Sequence, residues 1–312
     1  MSRFAPFFVI VAASLWGIDG IVLRPSLFNL PVPLVVFIES TIVALLLSPF
    51  LVKRLQTLKS LPLKDWLAFF LVALFGGAIG TMAITKALFY VNSVNLSIVI
   101  FIQKLQPAFA LILAAIFLRE RLPKEFFMWA GFAIFGAYLM TFGVKAPSLN
   151  TGESTILAGL FAIIAAASFG SSTVLSKLAL KNVGFEMGTY LRFLMSAVIL
   201  IIIVLSFSDI KEIASVSGSQ WLIFLIIAFT TGGPAIFLYY YGLKKITASV
   251  ATICELAFPL TAVVLEYLIR GNILNIVQWV GVFILLSSML KVIRIKINPE
   301  INSAQLNDSL AS

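Results

Sequence analysis

The sequence predicts an all-α membrane protein of ten transmembrane helices, arranged as two inverted five-helix repeats with both termini in the cytoplasm. Three observations support this fold class: the composition, the spacing of the apolar stretches and the distribution of Lys and Arg. Apolar residues make up 61% of the 312 positions and charged residues 11%, whereas a soluble chain has about 25% charged residues. The chain is therefore expected to lie in a membrane.

Ten apolar stretches recur along the chain, each close to the roughly 20 residues that a helix needs to cross a bilayer. Short loops with Pro, Gly or Asn separate them. The first stretch resembles a signal peptide, but Trp16, Asp19 and Arg24 replace the small residues of a cleavage site, so we expect a retained helix. The predicted helices are 4–24, 34–52, 66–89, 93–118, 124–143, 153–176, 185–207, 219–242, 247–269 and 273–293.

The orientation follows from the Lys and Arg residues of alternate loops, because cytoplasmic loops are enriched in them. With ten spans, fifteen of these residues fall on one side of the membrane and four on the other. This imbalance predicts cytoplasmic termini and a multi-pass protein of the inner cell membrane. The polar segment 297–312 is expected to be a disordered tail.

The charge and the reactive residues exclude several classes of function. The net charge of +9 does not indicate a nucleic-acid partner, because the basic residues are scattered singly rather than gathered in one stripe. The chain has no histidine and one cysteine, Cys254, so neither a metal site of His and Cys nor a His-containing catalytic triad can be assembled. We expect no metal, no cofactor and no enzymatic activity.

The two halves, 1–145 and 150–296, share a pattern. Because each half would contain an odd number of helices, the second would be inserted upside-down, an arrangement common in secondary transporters. The recurring motifs are Ser14-Leu-Trp-Gly17 with Ser168-Phe-Gly170, Phe75-Gly-Gly77 with Thr231-Gly-Gly233, and Trp129-Ala-Gly131 with Trp279-Val-Gly281.

Segments 89–107 and 117–122 resemble the EamA-domain members of the drug/metabolite transporter superfamily, in which a helix and a proline precede a Leu-x-Glu-Arg-Leu turn. The second half carries a weaker copy, 247–251 followed by Pro259, with 270–271 where the glutamate would stand. The resemblance implies ten helices, five plus five, around a central cavity that opens alternately to each side. It also implies export of amino acids, amines or other metabolites.

Ionisable residues inside a membrane mark candidate functional positions, because each costs about 2.5–3.5 kcal/mol at a helix centre and normally faces a partner or a cavity. Lys104 and Glu255 are the deepest, and each shortly precedes a proline, Pro107 or Pro259, that is expected to bend its helix. We expect the two to meet at the centre. The full set comprises Asp19, Arg24, Glu39, Lys86, Lys104, Arg192, Glu255 and Glu266.

Two roles are open for the central pair. Glu255 would bind a substrate ammonium or a proton, while Lys104 would bind a substrate carboxylate or keep Glu255 ionised. Alternatively, the two form a structural ion pair that only fixes the register of the helices.

A second group is predicted at the outer mouth. Asp19 and Glu39 are candidate substrate ligands, and without histidine a coupled proton would need carboxylates such as Glu255, Glu39 and Asp19, or lysines. The alternative is an ion bridge from Glu39 or Asp19 to Lys86. Arg24 and Glu266 are interpreted as boundary residues.

Aromatic residues complete the predicted site. Trp16, one turn from Asp19, could hold a cationic substrate through its ring. Tyr239 is also a predicted ligand, although the run Tyr239–Tyr241 as a whole favours an interfacial belt. Glu120 is interpreted as a structural clamp, and the paired glycines as packing positions rather than hinges.

These residues favour a transporter that exports a small polar metabolite, an amino acid or an amine, by alternating access with proton coupling. One alternative is uptake of a cationic quaternary amine, favoured by the carboxylates and Trp16. Another class is a lipid-carrier flippase, for which only Arg192, Lys104 and Lys86 could hold a phosphate. The expected partners are the small substrate, protons and the bilayer, with the protein a monomer or weak dimer.

Overall fold

The computed structural model describes residues 4–51, 58–59, 61–90, 96–144, 153–206, 209–271 and 274–295, and within these ranges the regular secondary structure is helical. The predicted tail 297–312 lies outside the described residues. The helices are α1 (Ala5–Leu27), α2 (Val32–Pro49), α3 (Leu63–Phe89), α4 (Leu96–Gln103 and Gln106–Phe117), α5 (Lys124–Phe142), α6 (Ser154–Ala179), α7 (Phe185–Ser206), α8 (Gly218–Leu243), α9 (Ala248–Ile269) and α10 (Ile276–Arg294).

Nine of these helices, all except α4, are long and apolar enough to cross a membrane within the described part of the chain. This confirms an all-α, multi-pass membrane protein. The apolar stretch of α4, Phe101–Phe117, is shorter. A count of ten crossings, the inversion of the second half and the cytoplasmic termini stay predictions.

Two helices break at matching places in the two halves. In α4 the break falls at Lys104 and Leu105, and in α9 at Glu255 and Leu256. Proline lacks an N–H and clashes with the carbonyl four residues earlier, so Pro107 and Pro259 interrupt the helical bonding before them. The Glu255 carbonyl accepts a hydrogen bond from Phe258 N–H instead, at 3.0 Å. The predicted bends are therefore present, and each places an ionisable residue at a break.

Three helices contain wide, π-helical turns. They occupy Asp19–Leu23 in α1, Ala73–Ile79 in α3 and Ala228–Gly232 in α8. The latter two include glycines of the repeated Gly-Gly motifs, at equivalent helices of the two halves. Turns of this kind are frequent at functional sites, and all three segments contribute residues to a central cavity.

The last helices of the two halves, α5 and α10, pack closely against each other. A Cβ atom added at Gly281 would lie 2.7 Å from the Gly136 carbonyl oxygen, and one added at Gly136 would lie 2.7 Å from the Leu285 nitrogen. Small residues allow such backbone approach within membranes. The other eight helices, α1–α4 and α6–α9, line the cavity, to which α5 and α10 contribute no residue.

Candidate functional site

The central cavity has a volume of about 200 Å³. The six predicted ligands all lie on its wall: Trp16, Asp19, Glu39, Lys104, Tyr239 and Glu255. The structure therefore brings the predicted residues of both halves to one cavity. Their role in binding stays a prediction.

Glu255 lies at the break of α9, where its side chain is held by three neutral donors. Oε1 accepts hydrogen bonds from the Tyr239 hydroxyl at 2.7 Å and from the Thr173 hydroxyl at 3.2 Å, and Oε2 accepts one from the Gln106 amide. The Tyr239 and Thr173 hydroxyl oxygens are themselves 2.9 Å apart. A carboxylate in a membrane is thus stabilised by hydrogen bonds from α4, α6 and α8.

The predicted pairing of Lys104 with Glu255 is wrong. Lys104 is 3% exposed, but its ammonium donates to the Ala137 carbonyl at 3.1 Å and to the Thr141 hydroxyl, both on α5. The break at Lys104 turns the side chain toward α5, whereas Glu255 faces α6 and α8. Both residues border the cavity, so each could contact the same ligand from a different side.

A second cluster, of charged side chains, lies where α1 and α2 border the cavity. Arg24 donates from Nε and Nη2 to Asp19 Oδ2, at 2.9 and 2.5 Å, and from Nη2 to Glu39 Oε2 at 3.2 Å. Its Nη1 donates to the Thr85 hydroxyl at 3.0 Å. The three charged residues are each no more than 8% exposed, so one guanidinium serves two buried carboxylates.

This cluster overturns two interpretations made from the sequence. Arg24 is not a boundary residue, because it is buried and ion-paired. Asp19 and Glu39 do not bridge to Lys86, which is exposed and lies 5.5 Å from the centre of the Tyr90 ring. The side chain of Glu266 lies outside the described residues.

Arg192, from α7, is a further buried cation on the cavity wall. Its Nη2 donates to the Gly76 carbonyl at 2.9 Å, and its Nη1 lies 3.3 Å from the Ser172 hydroxyl and 3.4 Å from the Tyr240 hydroxyl. A Cβ atom at position 76 would collide with Ser172 and Arg192. Gly76 therefore allows close packing and offers its carbonyl oxygen to Arg192. This agrees with the prediction that the paired glycines are packing positions.

Aromatic rings flank Glu255. The Trp16 and Tyr239 rings lie 5.3 Å apart, tilted by 56°, and Phe169, Phe193 and Phe258 border the same cavity. The interfacial-belt interpretation is wrong for Tyr239, which is 3% exposed. It suits Tyr241 better, because that ring lies 3.4 Å from the Lys245 ammonium. The result is an apolar, aromatic cavity with a few polar groups, as in small-molecule sites generally.

Glu120 acts as the predicted clamp. Its carboxylate accepts hydrogen bonds from the Ala248 N–H at 2.8 Å, from the Ser249 N–H at 3.1 Å and from the Ser249 hydroxyl at 2.5 Å. These are the free donors at the start of α9, so a turn of the first half caps a helix of the second.

Sequence reasoning missed several partners. Gln106 and Thr173 were not singled out, although Gln106 stands one residue before a helix-breaking proline, which was an available signal. Thr173 lies in an ordinary apolar stretch and offers none. Among the described residues no group of three or more His, Cys, Asp or Glu side chains could hold a metal ion.

Comparison with known proteins finds similarity in both structure and sequence. A solved structure with 16% sequence identity superposes with a TM-score of 0.72 and covers 99% of both chains, which shows a shared fold. The riboflavin transporter ImpX of Fusobacterium nucleatum subsp. nucleatum is 44% identical over 285 residues, 91% of this chain and 95% of that protein. An uncharacterized transporter of Synechocystis sp. is 26% identical over 245 residues, 75% of this chain and 67% of that protein.

The family model of the EamA-like transporters matches residues 3–142 and 156–294. These matches confirm the resemblance seen in the sequence, and they describe transporters rather than enzymes. The chain belongs to the EamA-like transporter family.

Proposed function

We propose that this protein transports riboflavin, or a closely related flat heteroaromatic compound, across the membrane. The observation that carries the proposal is the 44% identity, over 91% of the chain, to a protein named as a riboflavin transporter. Riboflavin combines a planar three-ring heterocycle with a polyhydroxyl chain and is uncharged at neutral pH. The cavity would need aromatic faces for the ring and neutral polar groups for the chain.

The cavity wall supplies both kinds of group. Trp16 and Tyr239 present tilted aromatic rings beside Glu255, and offset or tilted aromatic contacts contribute about 0.5–1.5 kcal/mol beyond their buried area. Three residues of the same wall carry a buried polar atom without a protein partner: Gln103 Oε1, Thr231 Oγ1 and Thr252 Oγ1. Buried polar atoms normally have partners, so a ligand group that reached one of these atoms after a side-chain rotation would satisfy it.

The charges on the wall favour a neutral ligand over a simple cation. Three acidic residues, Asp19, Glu39 and Glu255, are matched by three basic ones, Arg24, Lys104 and Arg192. Glu255 accepts hydrogen bonds from three donors, and Asp19 and Glu39 share the single cation Arg24. A quaternary amine would therefore meet a cavity without net negative charge, which weakens that alternative.

Alternating access would use the two halves, 1–145 and 150–296, as inverted repeats around this cavity. The matched breaks in α4 and α9 leave short helical pieces whose ends face the cavity, and such discontinuous helices are typical of transporter binding sites. In this proposal the halves rock about the bound ligand, while α5 and α10 hold the repeats together at one side.

An amino acid or amine is the second candidate. Glu255 lies next to the Trp16 and Tyr239 rings, an arrangement that suits a primary ammonium through charge and cation–π attraction, with Lys104 or Arg192 for a carboxylate. The sequence argument favoured export for such a substrate. The assay must therefore measure both substrate class and direction.

The test is transport in liposomes that contain the purified protein. Radiolabelled riboflavin is supplied outside or loaded inside, and unlabelled riboflavin, lysine, glutamine, choline and a lipid-linked phosphate compete in turn. Saturable riboflavin movement that only flavins inhibit supports the proposal. Movement of lysine, glutamine or choline, each radiolabelled in a parallel assay, without riboflavin movement would establish the second candidate or the amine alternative.

Two variants localise the activity. Glu255→Gln weakens the acceptor that positions Tyr239, Thr173 and Gln106 on the cavity wall, so riboflavin affinity should fall. Glu125→Gln is the matched control, because Glu125 is exposed at the start of α5 and should transport like the wild type. Equal affinity in both variants would remove Glu255 from the site.

A further inference from the structure

We propose that Glu39 is the proton-binding site of this transporter, with Arg24 and Asp19 forming the fixed ion pair that holds it. The coupling of this proton to substrate movement rests on the proposed function, whereas the proton site itself does not. The argument starts from the unequal way in which one guanidinium serves two carboxylates.

Asp19 is the tightly held partner. Arg24 reaches Asp19 Oδ2 with two donors, Nε at 2.9 Å and Nη2 at 2.5 Å, but reaches Glu39 Oε2 with Nη2 alone at 3.2 Å. Paired N–H donors to one carboxylate give the stronger, geometrically fixed contact. Glu39 therefore has the weaker hold on the shared cation and is the carboxylate that gains more from a proton.

Each carboxylate also has a buried oxygen without a partner. Asp19 Oδ1 and Glu39 Oε1 make no hydrogen bond in the described structure. Both residues are buried, with only 8% and 7% of their surface exposed. An unpaired, ionised oxygen in a membrane interior is costly unless its charge is neutralised. With both acids ionised the cluster carries one net negative charge, and a single proton on Glu39 makes it neutral.

Within the described part of the chain, Arg24 is the charged side chain that compensates Glu39. Among the groups on the helices packed around it, Lys86 on α3 is exposed, and Arg192 on α7 is bound to α3 and α6 groups. Lys104 on α4 and Glu255 on α9 border the cavity but bond elsewhere. Lys211 and Glu212, on the short helix Asp209–Ser215 that contacts α2, are exposed. Arg24 is thus the only described cation that contacts Glu39.

The proton has a route and a mechanical link to the substrate. Asp19, Arg24 and Glu39 all border the cavity, and the Glu39 side chain is 10% exposed, so a proton can reach Glu39 from the cavity. Asp19 begins the wide turn of α1, and Trp16 stands about one turn before it on the wall of the ligand site. A change in charge at Glu39 would alter the position of Arg24, and with it this part of α1.

The first experiment compares two modes of transport in liposomes. In counterflow, riboflavin exchanges at equal concentrations without net charge or proton movement. In gradient-driven transport, an imposed pH difference accumulates riboflavin. Glu39→Gln imitates the protonated acid, so the ratio of its gradient-driven transport to its own counterflow should no longer respond to the pH difference. Glu125→Gln should keep this response.

A response of Glu39→Gln to the pH difference that equals the wild type would overturn the proposal. So would a wild-type protein that moves riboflavin without moving protons, measured with a pH-sensitive dye trapped in the liposomes, or one driven only by a sodium gradient. The dye measurement uses the wild type, so riboflavin transport without proton movement overturns the proposal even if Glu39→Gln fails to fold.

A second experiment does not need the substrate. Infrared difference spectra of the reconstituted wild type between low and high pH should contain the carbonyl band of a protonated carboxyl group that is missing from Glu39→Gln and kept in Glu255→Gln. Identical wild-type and Glu39→Gln spectra would overturn the proton site. If the band behaves as expected but riboflavin is not transported, the proposed substrate fails and the proton site stands.

Discussion

Removing the guanidinium of Arg24 is expected to destabilise the protein strongly. Arg24→Met keeps an unbranched side chain of similar length but leaves Asp19 and Glu39 buried without their cation. Breaking a buried ion pair by deleting one partner costs about 3–5 kcal/mol. For complete unfolding, with an entropy of about 2.1 cal/mol/K per residue as in soluble proteins, this loss would lower the unfolding temperature of a 312-residue chain by about 5–8 °C. Helices that persist in detergent reduce the unfolding entropy, so the shift should be at least this large.

The loss of stability in Arg24→Met should depend on pH, and removing the two carboxylates as well should restore part of the stability. At pH 5 protons neutralise part of the stranded charge, so Arg24→Met should lose less stability at pH 5 than at pH 8. A triple variant that adds Asp19→Asn and Glu39→Gln removes both charges and should recover at least half of the loss, since replacing all members of a buried ionic cluster is often nearly neutral. The assay is thermal unfolding of the detergent-solubilised protein, followed by tryptophan fluorescence.

Lys86→Met is the control, because Lys86 is exposed and follows Thr85, the neutral partner of Arg24. Its unfolding free energy should change by no more than about 0.5 kcal/mol. The reasoning is refuted if Arg24→Met and Lys86→Met unfold at the same temperature at pH 8, or if the triple variant is less stable than Arg24→Met.

One packing contact and one helix cap, each between the two halves, give further predictions. Gly281→Ala places a Cβ atom 2.7 Å from the Gly136 carbonyl oxygen, so separation of the backbones of α5 and α10 should cost about 1–3 kcal/mol in unfolding free energy. Gly131→Ala on α5 meets nothing within 4 Å and should be neutral or stabilising, and a similar loss in both would contradict the packing argument. Glu120→Gln should lower stability by about 1 kcal/mol because the carboxylate caps the start of α9, whereas the exposed Glu125→Gln should not, and hydrogen exchange of the first turn of α9 would check this.

The helices were predictable because a bilayer imposes a length on every apolar stretch. The predicted 124–143 is observed as Lys124–Phe142, and the predicted 185–207 as Phe185–Ser206. The first half of α4 and the interior of α9 differ from continuous spans because proline breaks them. These breaks were foreseen as bends, but their effect on side-chain direction was not.

The direction of Lys104 illustrates this effect. From its position in the repeat, Lys104 was predicted to meet Glu255, and both residues do border one cavity. At a break, however, the helical relation between position and direction no longer holds, and Lys104 instead finds Ala137 and Thr141 on α5.

Arg24 was interpreted as a boundary residue for a related reason. Residues five apart point about 140° away from each other on a regular α-helix of 3.6 residues per turn, so a bond between Asp19 and Arg24 was not expected. In the wide turn of α1 the Arg24 N–H bonds to the Asp19 carbonyl, and residues five apart come to one face. Sequence periodicity does not reveal such turns.

The most direct test of the central claim is riboflavin binding to the purified protein, followed by quenching of flavin fluorescence. Trp16→Ala removes a ring from the proposed site, and Trp221→Ala is the control, since Trp221 lies on α8 outside the cavity wall and is 38% exposed. The account predicts saturable binding whose Kd rises roughly two- to tenfold in Trp16→Ala and stays unchanged in Trp221→Ala. No saturable binding, or equal Kd values in the two variants, would contradict riboflavin as the ligand of this cavity.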